Sequence, residues 1–357
     1  LFGYALYGRK ILQYLLNEGV SCCGIADNDV AKHGIAVENN IYIESPQESL
    51  KKHPQAAFII TSKNYWIEIK HQLLNMGVSI NNIIVPEWNL LYEPYQNLSV
   101  DEIKKKLICH GEKKTGIKMN LDNPVTFNEK ITWQIIFDDN PLKTQLADKY
   151  LVRSWIAERI GMDYLIPLLG VWDDPENIEF DQLPDKFVLK TNHGCGWNIV
   201  IRDKKKADFS LIKEKLKTWM GYNFADITLE RQYKDIVPKV ICEELLESGN
   251  EKSDIDDFKV FCFNGEPRYI MYLTDRVKGL KMAFYDLKWK RMPFVYSYPS
   301  YPGEISPPNC LQIMIEKSRI LSQGFNQVRV DWYCPADGSL KFGEMTFSSC
   351  GGYAKWN

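Results

Sequence analysis

The stretch from Gln327 to Gly352, QVRVDWYCPADGSLKFGEMTFSSCGG, admits few folds. Val328, Val330 and Trp332 alternate with Arg329, Asp331 and Tyr333, the period-two pattern of a strand with one buried face. Pro335-Ala336-Asp337-Gly338 has turn chemistry, and a return strand is predicted over Leu340 to Met345. Side chains two residues apart share a face, so Arg329 stands with Asp331, and Leu340, Phe342 and Glu344 share one phase with Lys341 in the other. Asp331 and Glu344 are therefore expected to meet across the ladder, with Arg329 beside them. Carboxylate oxygens on rigid strands suit Mg²⁺, which takes one or two of them and leaves other positions to phosphates and water. A surface hairpin with a cross-strand ion pair carries the same pattern.

Composition narrows the classes. At 357 residues the chain has room for two or three domains. Hydrophobic residues at 45%, charged at 25% and aromatic at 13% describe an ordinary globular protein. A net charge of −2 argues against a broad nucleic-acid surface. The nine cysteines are odd in number and scattered, without CxxC, and only five histidines are present. No disulfide framework and no zinc site are expected, which fits a reducing cytoplasm. No apolar run is long enough to span a bilayer. The chain starts at Leu1 rather than Met, which leaves room for sequence upstream.

Residues 1–88 read as alternating strands and helices, the pattern of a parallel sheet with right-handed crossovers. Ile11, Leu12, Leu15 and Leu16 fall at helical spacing before Gly19, and Tyr65 to Gly77 forms a second helix. Gly3, Gly8 and Asp27 are similar to a Rossmann turn and its ribose-binding acid. However, Ala5 stands where pyrophosphate needs the second glycine, so a Rossmann-like domain without a dinucleotide is expected.

Residues 89–147 read as a helical connector. Ser99 and Glu102 form a predicted capping box, and Thr126 or Asn128 caps a helix that buries Ile131, Ile135 and Ile136. Its lysines make a solvated face or a docking surface for an anionic acceptor. Residues 148–357 follow as a third domain. A helix with Leu151, Val152, Trp155, Ile156 and Ile160 inward ends at Gly161. Phe187 to Lys190 is a predicted strand, Thr191 to Gly196 a loop and Trp197 to Ile201 the return. Such a loop presents N–H groups to an anion, with a strand lysine adding charge, though an empty hairpin turn reads the same way. A second hairpin turns at Asn264-Gly265. Asp254, Asp256 and Asp257 lack the spacing of a calcium loop.

Together the phrases NPVTFNEKI, ADKYLVR, LPDKFVLKTNHGCGWNIV, DDFKVFCFNGEP, VRVDWY and FGEMTFSSCGG resemble the TupA-like branch of the ATP-grasp enzymes, over about residues 120–352. The resemblance implies two α+β lobes gripping ATP, with the lobe boundary near residues 243–246. It implies that Lys149 and Lys190 contact phosphates and that the loop of His193, Gly194, Cys195, Gly196, Trp197 and Asn198 closes over them. Glu243, Glu244 and Leu245 would lie beside adenine, Asp257 near ribose and Lys259 near phosphate. Asp331 and Glu344 would hold Mg²⁺, taken as two ions, with Thr346 where many relatives have asparagine. Arg329 would steady the transferred phosphoryl group, so Arg329, Lys190 and Lys259 are the catalytic candidates. Ser348, Ser349, Gly351 and Gly352 would line the acceptor pocket, while Cys195 and Cys350 are read as small loop residues.

The implied reaction activates a carboxylate with ATP and transfers it to an amine. The implied partners are a small amine or amino acid and a sugar acid or glycan, in cell-surface polysaccharide synthesis. A glycosyltransferase or sugar-modifying protein using a nucleotide sugar is the alternative, but it leaves Lys190, Asp331 and Glu344 without a role. A non-catalytic scaffold leaves the same residues unexplained.

Overall fold

The computed structural model describes every residue except 38–39, 63–64, 87–91, 248–254, 275–278, 296–297, 336 and 357. Ala336 of the expected turn, Asp254 and the expected boundary at residue 88 thus lie outside the described residues. The chain divides into two units, Leu1–Tyr92 and Glu93–Asn357.

The first unit is built from short parallel pairings. Helix α1 (Leu6–Asn17), strands β1 (Ile25–Ala26) and β2 (Ile43–Glu44), helix α2 (Pro46–Lys52), strand β3 (Phe58–Ile59), helix α3 (Trp66–Asn75) and strand β4 (Ile83–Ile84) follow in order. β1 pairs with β2 and β3 with β4, both parallel, while Phe2 bridges in parallel to Ala26 and to Ile60. Five extended segments therefore run side by side with Phe2 in the middle. The glycines are explained by packing: a Cβ on Gly8 would lie 2.2 Å from Gly3 O, and Gly3 has φ +102°. Asp27 is spent internally, since it accepts the N–H groups of Tyr4 at 2.8 Å and Asp29 at 2.9 Å and pairs with Lys32 at 3.0 Å.

The second unit holds two antiparallel sheets. Its helices are α4 (Val100–Thr115), α5 (Phe127–Phe137), α6 (Leu142–Ala147), α7 (Val152–Ile160), α8 (Phe209–Met220), α9 (Phe224–Thr228) and α10 (Leu311–Leu321). Its strands are β5 (Leu168–Trp172), β6 (Phe187–Thr191), β7 (Asn198–Ile201), β8 (Val240–Glu244), β9 (Asp257–Phe263), β10 (Glu266–Thr274), β11 (Lys281–Asp286), β12 (Gln327–Tyr333) and β13 (Lys341–Thr346). One sheet has the order β5-β8-β6-β7, the other β11-β10-β9-β12-β13.

Residues 93–147, read from sequence as part of a connector, fall within this unit. The expected capping box forms at Ser99 with Glu102, and of the two candidate caps Thr126 is the one used, closing a further box with Glu129. α4 and α5 share a core of Ile103, Leu107, Leu121, Ile131, Ile135 and Ile136. Beside α7 one inward assignment fails: Leu151 is 47% exposed, because the helix starts after it, at Val152.

The hairpin of β12 and β13 contains a bulge that the sequence pattern does not announce. Asp331 pairs with Glu344, but the next pair is Trp332 with Phe342, so Gly343 is the extra residue. Phe342 therefore joins Trp332 in the core while Glu344 takes the face of Asp331. The expectation that Phe342 and Glu344 share a face is corrected by this one residue. A Cβ on Gly343 would lie 3.1 Å from both Asp331 O and the Tyr333 ring, which explains the glycine.

The core on the other side of this sheet packs α6, α7 and α10 against Phe258, Val260, Val328, Val330 and Trp332. Trp332 is fully buried and donates its indole N–H to Ser318 Oγ at 2.8 Å. At the edge of this core Cys310 and Cys334 form a disulfide, which departs from the expectation of unpaired cysteines. Packing of α10 against β12 brings the two together across 24 residues of sequence. Trp332→Ala should lower unfolding free energy by about 3–5 kcal/mol through the cavity it leaves. Urea denaturation at neutral pH measures this, and a loss below about 1 kcal/mol would contradict the assigned packing.

Candidate active site

Period-two geometry places Asp257, Lys259, Phe261 and Phe263 on the face of β9 opposite the core that takes Phe258, Val260 and Cys262. On β12, register sets Asp331 against Lys259 and Arg329 against Phe261. Arg329, Asp331, Lys259, Glu344 and Thr346 consequently converge. The Arg329 fork grips Asp331 twice, Nε to Oδ1 at 2.6 Å and Nη2 to Oδ2 at 2.7 Å. Nη2 also reaches Thr346 Oγ1 at 2.9 Å and Glu344 Oε1 at 3.3 Å. Thr346 in turn donates to Glu344 Oε1 at 3.1 Å. Lys259 pairs with Asp331 and, at 2.9 Å, with Asp257.

Charge states follow from these contacts. Burial alone would raise Asp331, but Arg329 and Lys259 outweigh it and hold the carboxyl below its usual range. Burial likewise acts to lower Lys259, and Asp331 and Asp257 overcome it, so the ammonium titrates above its usual range. Both groups stay ionised at neutral pH.

The other sheet carries its own ion cluster. Lys190 on β6 donates to Glu243 Oε2 at 2.5 Å, and Arg153 from α7 donates to Glu243 Oε1 at 2.8 Å. Glu243 is 6% exposed, so one buried carboxylate joins two cations. Glu244 is exposed and Leu245 half-buried just beyond. Lys149, between α6 and α7, donates to Gly194 O and lies 4.0 Å from Glu344 Oε2. It thereby touches both the glycine loop and the strand of Glu344.

The glycine loop is tightly closed. Thr191 N donates to Trp197 O at 3.1 Å, and Asn192 bridges Asp148 at 2.9 Å, Val237 O at 3.0 Å and Lys239 N at 2.7 Å. Gly196 has φ +74°, and a Cβ on Gly194 would strike the Trp197 ring at 2.3 Å. The Trp197 ring packs against His193, Trp219, Tyr222 and Phe224, while Asn198 is exposed at the start of β7.

His193 corrects the expectation that it faces phosphate. It is 2% exposed, and its Nε2 donates inward to the carbonyls of Trp219 at 3.2 Å and Tyr222 at 3.1 Å. Burial lowers its pKa to about 4. Cys195 carries no activated thiolate, because desolvation of the thiol raises it and nearby Glu344 adds to the rise.

Three residues that motif reading passed over belong to this region. Arg153 and Asn192 carry the contacts given above. Glu230 is 9% exposed, accepts the hydroxyl proton of Ser348 and a bond from Gln232 Nε2 at 3.2 Å, and is pushed up to about 7 by burial. A single glutamate in TLERQY gives no pattern to notice. Among the described residues no three His, Cys, Asp or Glu side chains form a ready-made metal cluster. Asp331, Glu344 and the Thr346 hydroxyl nevertheless offer hard oxygen donors at one place, which suits Mg²⁺ in chemistry.

A family model described as TupA-like ATPgrasp matches residues 129–357. No curated protein matches. Similar solved structures include the ATP-grasp ligase PsnB complexed with minimal precursor, at 15% identity and TM-score 0.33, covering 58% of this chain and 54% of that one. N5-carboxyaminoimidazole synthetase from Staphylococcus aureus complexed with ADP has 12% identity and TM-score 0.33, covering 56% and 43%. D-cycloserine synthetase DcsG has 13% identity and TM-score 0.34, covering 58% and 63%. The chain thus spans between 43% and 63% of the length of these three, and likenesses this slight carry no residue correspondence.

The buried neutral His193 sets a pH dependence. Its folded pKa lies below the usual 6.5, so its contribution to stability is complete above that value and is lost as pH falls toward about 4. The loss should reach roughly 3 kcal/mol. Urea midpoints across this window should fall less in His193→Gln than in the natural protein, and parallel curves would refute the assignment.

Proposed function

The chain belongs to the TupA-like ATP-grasp family, and on that premise we propose that it is an ATP-dependent carboxylate–amine ligase that forms an amide through an acyl phosphate. The observation that carries this reading is the cluster of Arg329, Asp331, Lys259, Glu344 and Thr346 on one strand face. A carboxylate is a poor electrophile because its leaving group would be oxide. Phosphoryl transfer from ATP gives it a leaving group that an amine can displace. The protein's task is then positioning and charge neutralisation.

In this reading Lys149 and Lys190 exchange their present partners, Gly194 O with nearby Glu344 and Glu243, for nucleotide phosphates. The loop of Gly194, Gly196, Trp197 and Asn198 lies over those phosphates. Glu243, Glu244 and Leu245 flank adenine, and Asp257 faces ribose. Lys259 and Arg329 neutralise the transferred phosphoryl group. Asp331, Glu344 and Thr346 would hold Mg²⁺, in one ion or two, and a bound Mg²⁺ would supply charge neutralisation of the phosphates.

The substrates we propose are a small amine or amino acid and a sugar acid, joined in cytoplasmic steps of cell-surface polysaccharide synthesis. None of the described helices is long and apolar enough to cross a membrane. We read the first unit as Rossmann-like, supported by its five parallel extended segments. The internal engagement of Asp27 speaks against a ribose-binding role there.

Thermal-shift titration with Mg·ATP tests the reading. Ligand at about a hundred times its dissociation constant should stabilise the protein by roughly 2.7 kcal/mol. Lys190→Ala and Asp331→Asn should lose that shift. A response to nucleotide sugars alone would instead favour glycosyl transfer.

A further inference from the structure

Glu230 is the buried titratable group that the reading above leaves unused. It lies between α9 and a short turn at Arg231–Tyr233. Among the described residues no cation pairs with it. Its carboxylate is met by the Ser348 hydroxyl and by Gln232 Nε2, and Gln232 Nε2 also donates to Ser348 Oγ at 2.7 Å. Ser348 follows Thr346 by two residues, so this triad sits at the end of the strand that bears Glu344. The charged and titratable groups around Glu230 are Glu344 of β13, Cys195 of the glycine loop, Tyr233 of its own turn and Tyr353 near the C-terminus, with Arg329 of β12 beyond them.

Gln232 and Ser348 also line a polar cavity of about 140 Å³. Asp138, Lys143, Arg231 and Lys234 share its wall, so both signs of charge are present. The space equals that of a few water molecules, enough for a small head group. Ser348 Oγ donates to Glu230 and accepts from Gln232, which leaves one lone pair for a further donor. Gln134, also on the wall, has a buried Oε1 without a donor.

We propose that this cavity receives the amine substrate as a small primary ammonium, with Ser348 Oγ contacting the nitrogen and Glu230 acting through Ser348 as the proton acceptor. The inference rests on the ligase reading. As the amine nitrogen bonds to the acyl carbon, the bond from that carbon to the phosphate oxygen breaks and its electron pair leaves with phosphate. Beforehand the ammonium gives one proton to Ser348 Oγ while the Ser348 proton passes to the Glu230 carboxylate, which frees the nitrogen lone pair for attack. The second proton, lost as the amide forms, leaves with the phosphate. Glu230 ends neutral and later releases the proton to water. Ser348 is the catalytic contact and Glu230 a positioning residue. Burial, opposed by bonds from Ser348, Thr228 and Gln232 and aided by Glu344, leaves Glu230 titrating at about 7, where both forms are populated.

The test is calorimetric titration of the full chain, saturated with Mg·AMP-PNP, using glycine, L-alanine, L-glutamate, L-lysine and ethanolamine as probes. At least one should bind, and more tightly as pH rises through about 7, because Glu230 gains charge while the ammonium keeps its own. Ser348→Ala and Glu230→Gln should weaken that binding roughly tenfold or more. Glu230→Gln should also flatten the pH dependence, and Glu230→Asp should restore part of it. A retained Mg·AMP-PNP response shows that each variant is folded. Equal binding by the natural protein and both variants overturns the inference, as does the absence of amine binding to protein that binds nucleotide. Failure of the natural protein to bind Mg·AMP-PNP overturns the ligase reading itself.

Discussion

The buried Asp331 carboxylate, forked by Arg329 and paired with Lys259, organises the second unit. Removing a carboxylate from water is costly unless its charge is met at close range and its lone pairs are filled. Here both conditions hold because β9 and β12 are neighbours in register and the three side chains share one face. The Gly343 bulge then brings Glu344 to the same face without giving up the core position of Phe342. A shift of one residue in either strand would bury a charge against Trp332 and expose an aliphatic row.

The same economy of partners runs through the other sheet. Glu243 holds Arg153 and Lys190, and Lys149 lies between Gly194 O and Glu344. Each cation assigned to a phosphate in the proposed reaction thus already has an oxygen partner of the protein. Polyphosphate would compete with those oxygens rather than meet bare charge. The cost of ordering the lysine side chains is in part met before substrate arrives, which is one form of preorganisation. The glycine loop is ordered for a different reason. His193 and Trp197 anchor it in an aromatic cluster, and the absence of a Cβ at Gly194 leaves room for the Trp197 ring.

The Ser99 capping box, the Asn264-Gly265 turn and the alternation in β12 were legible in sequence because each depends on residues close in the chain. Family phrases supplied the rest of the site list. What they could not supply was orientation. His193 lies in a loop rich in glycine, yet its ring turns inward because the carbonyls of Trp219 and Tyr222 wait beneath it. Glu230 stands more than a hundred residues before Ser348, and no local pattern links the two.

The sequence by itself determined the strand and helix periods, the turn positions and the family to which residues 129–357 belong. Those are matters of local backbone preference and of motif. Tertiary structure alone decided that a bulge parts Phe342 from the face of Glu344, which cations share Glu243, and that Cys310 meets Cys334. It also decided that Glu230 is desolvated beside Ser348. A bulge, an ion pair and a desolvated acid all depend on groups far apart in the chain, and only packing sets the distances between them.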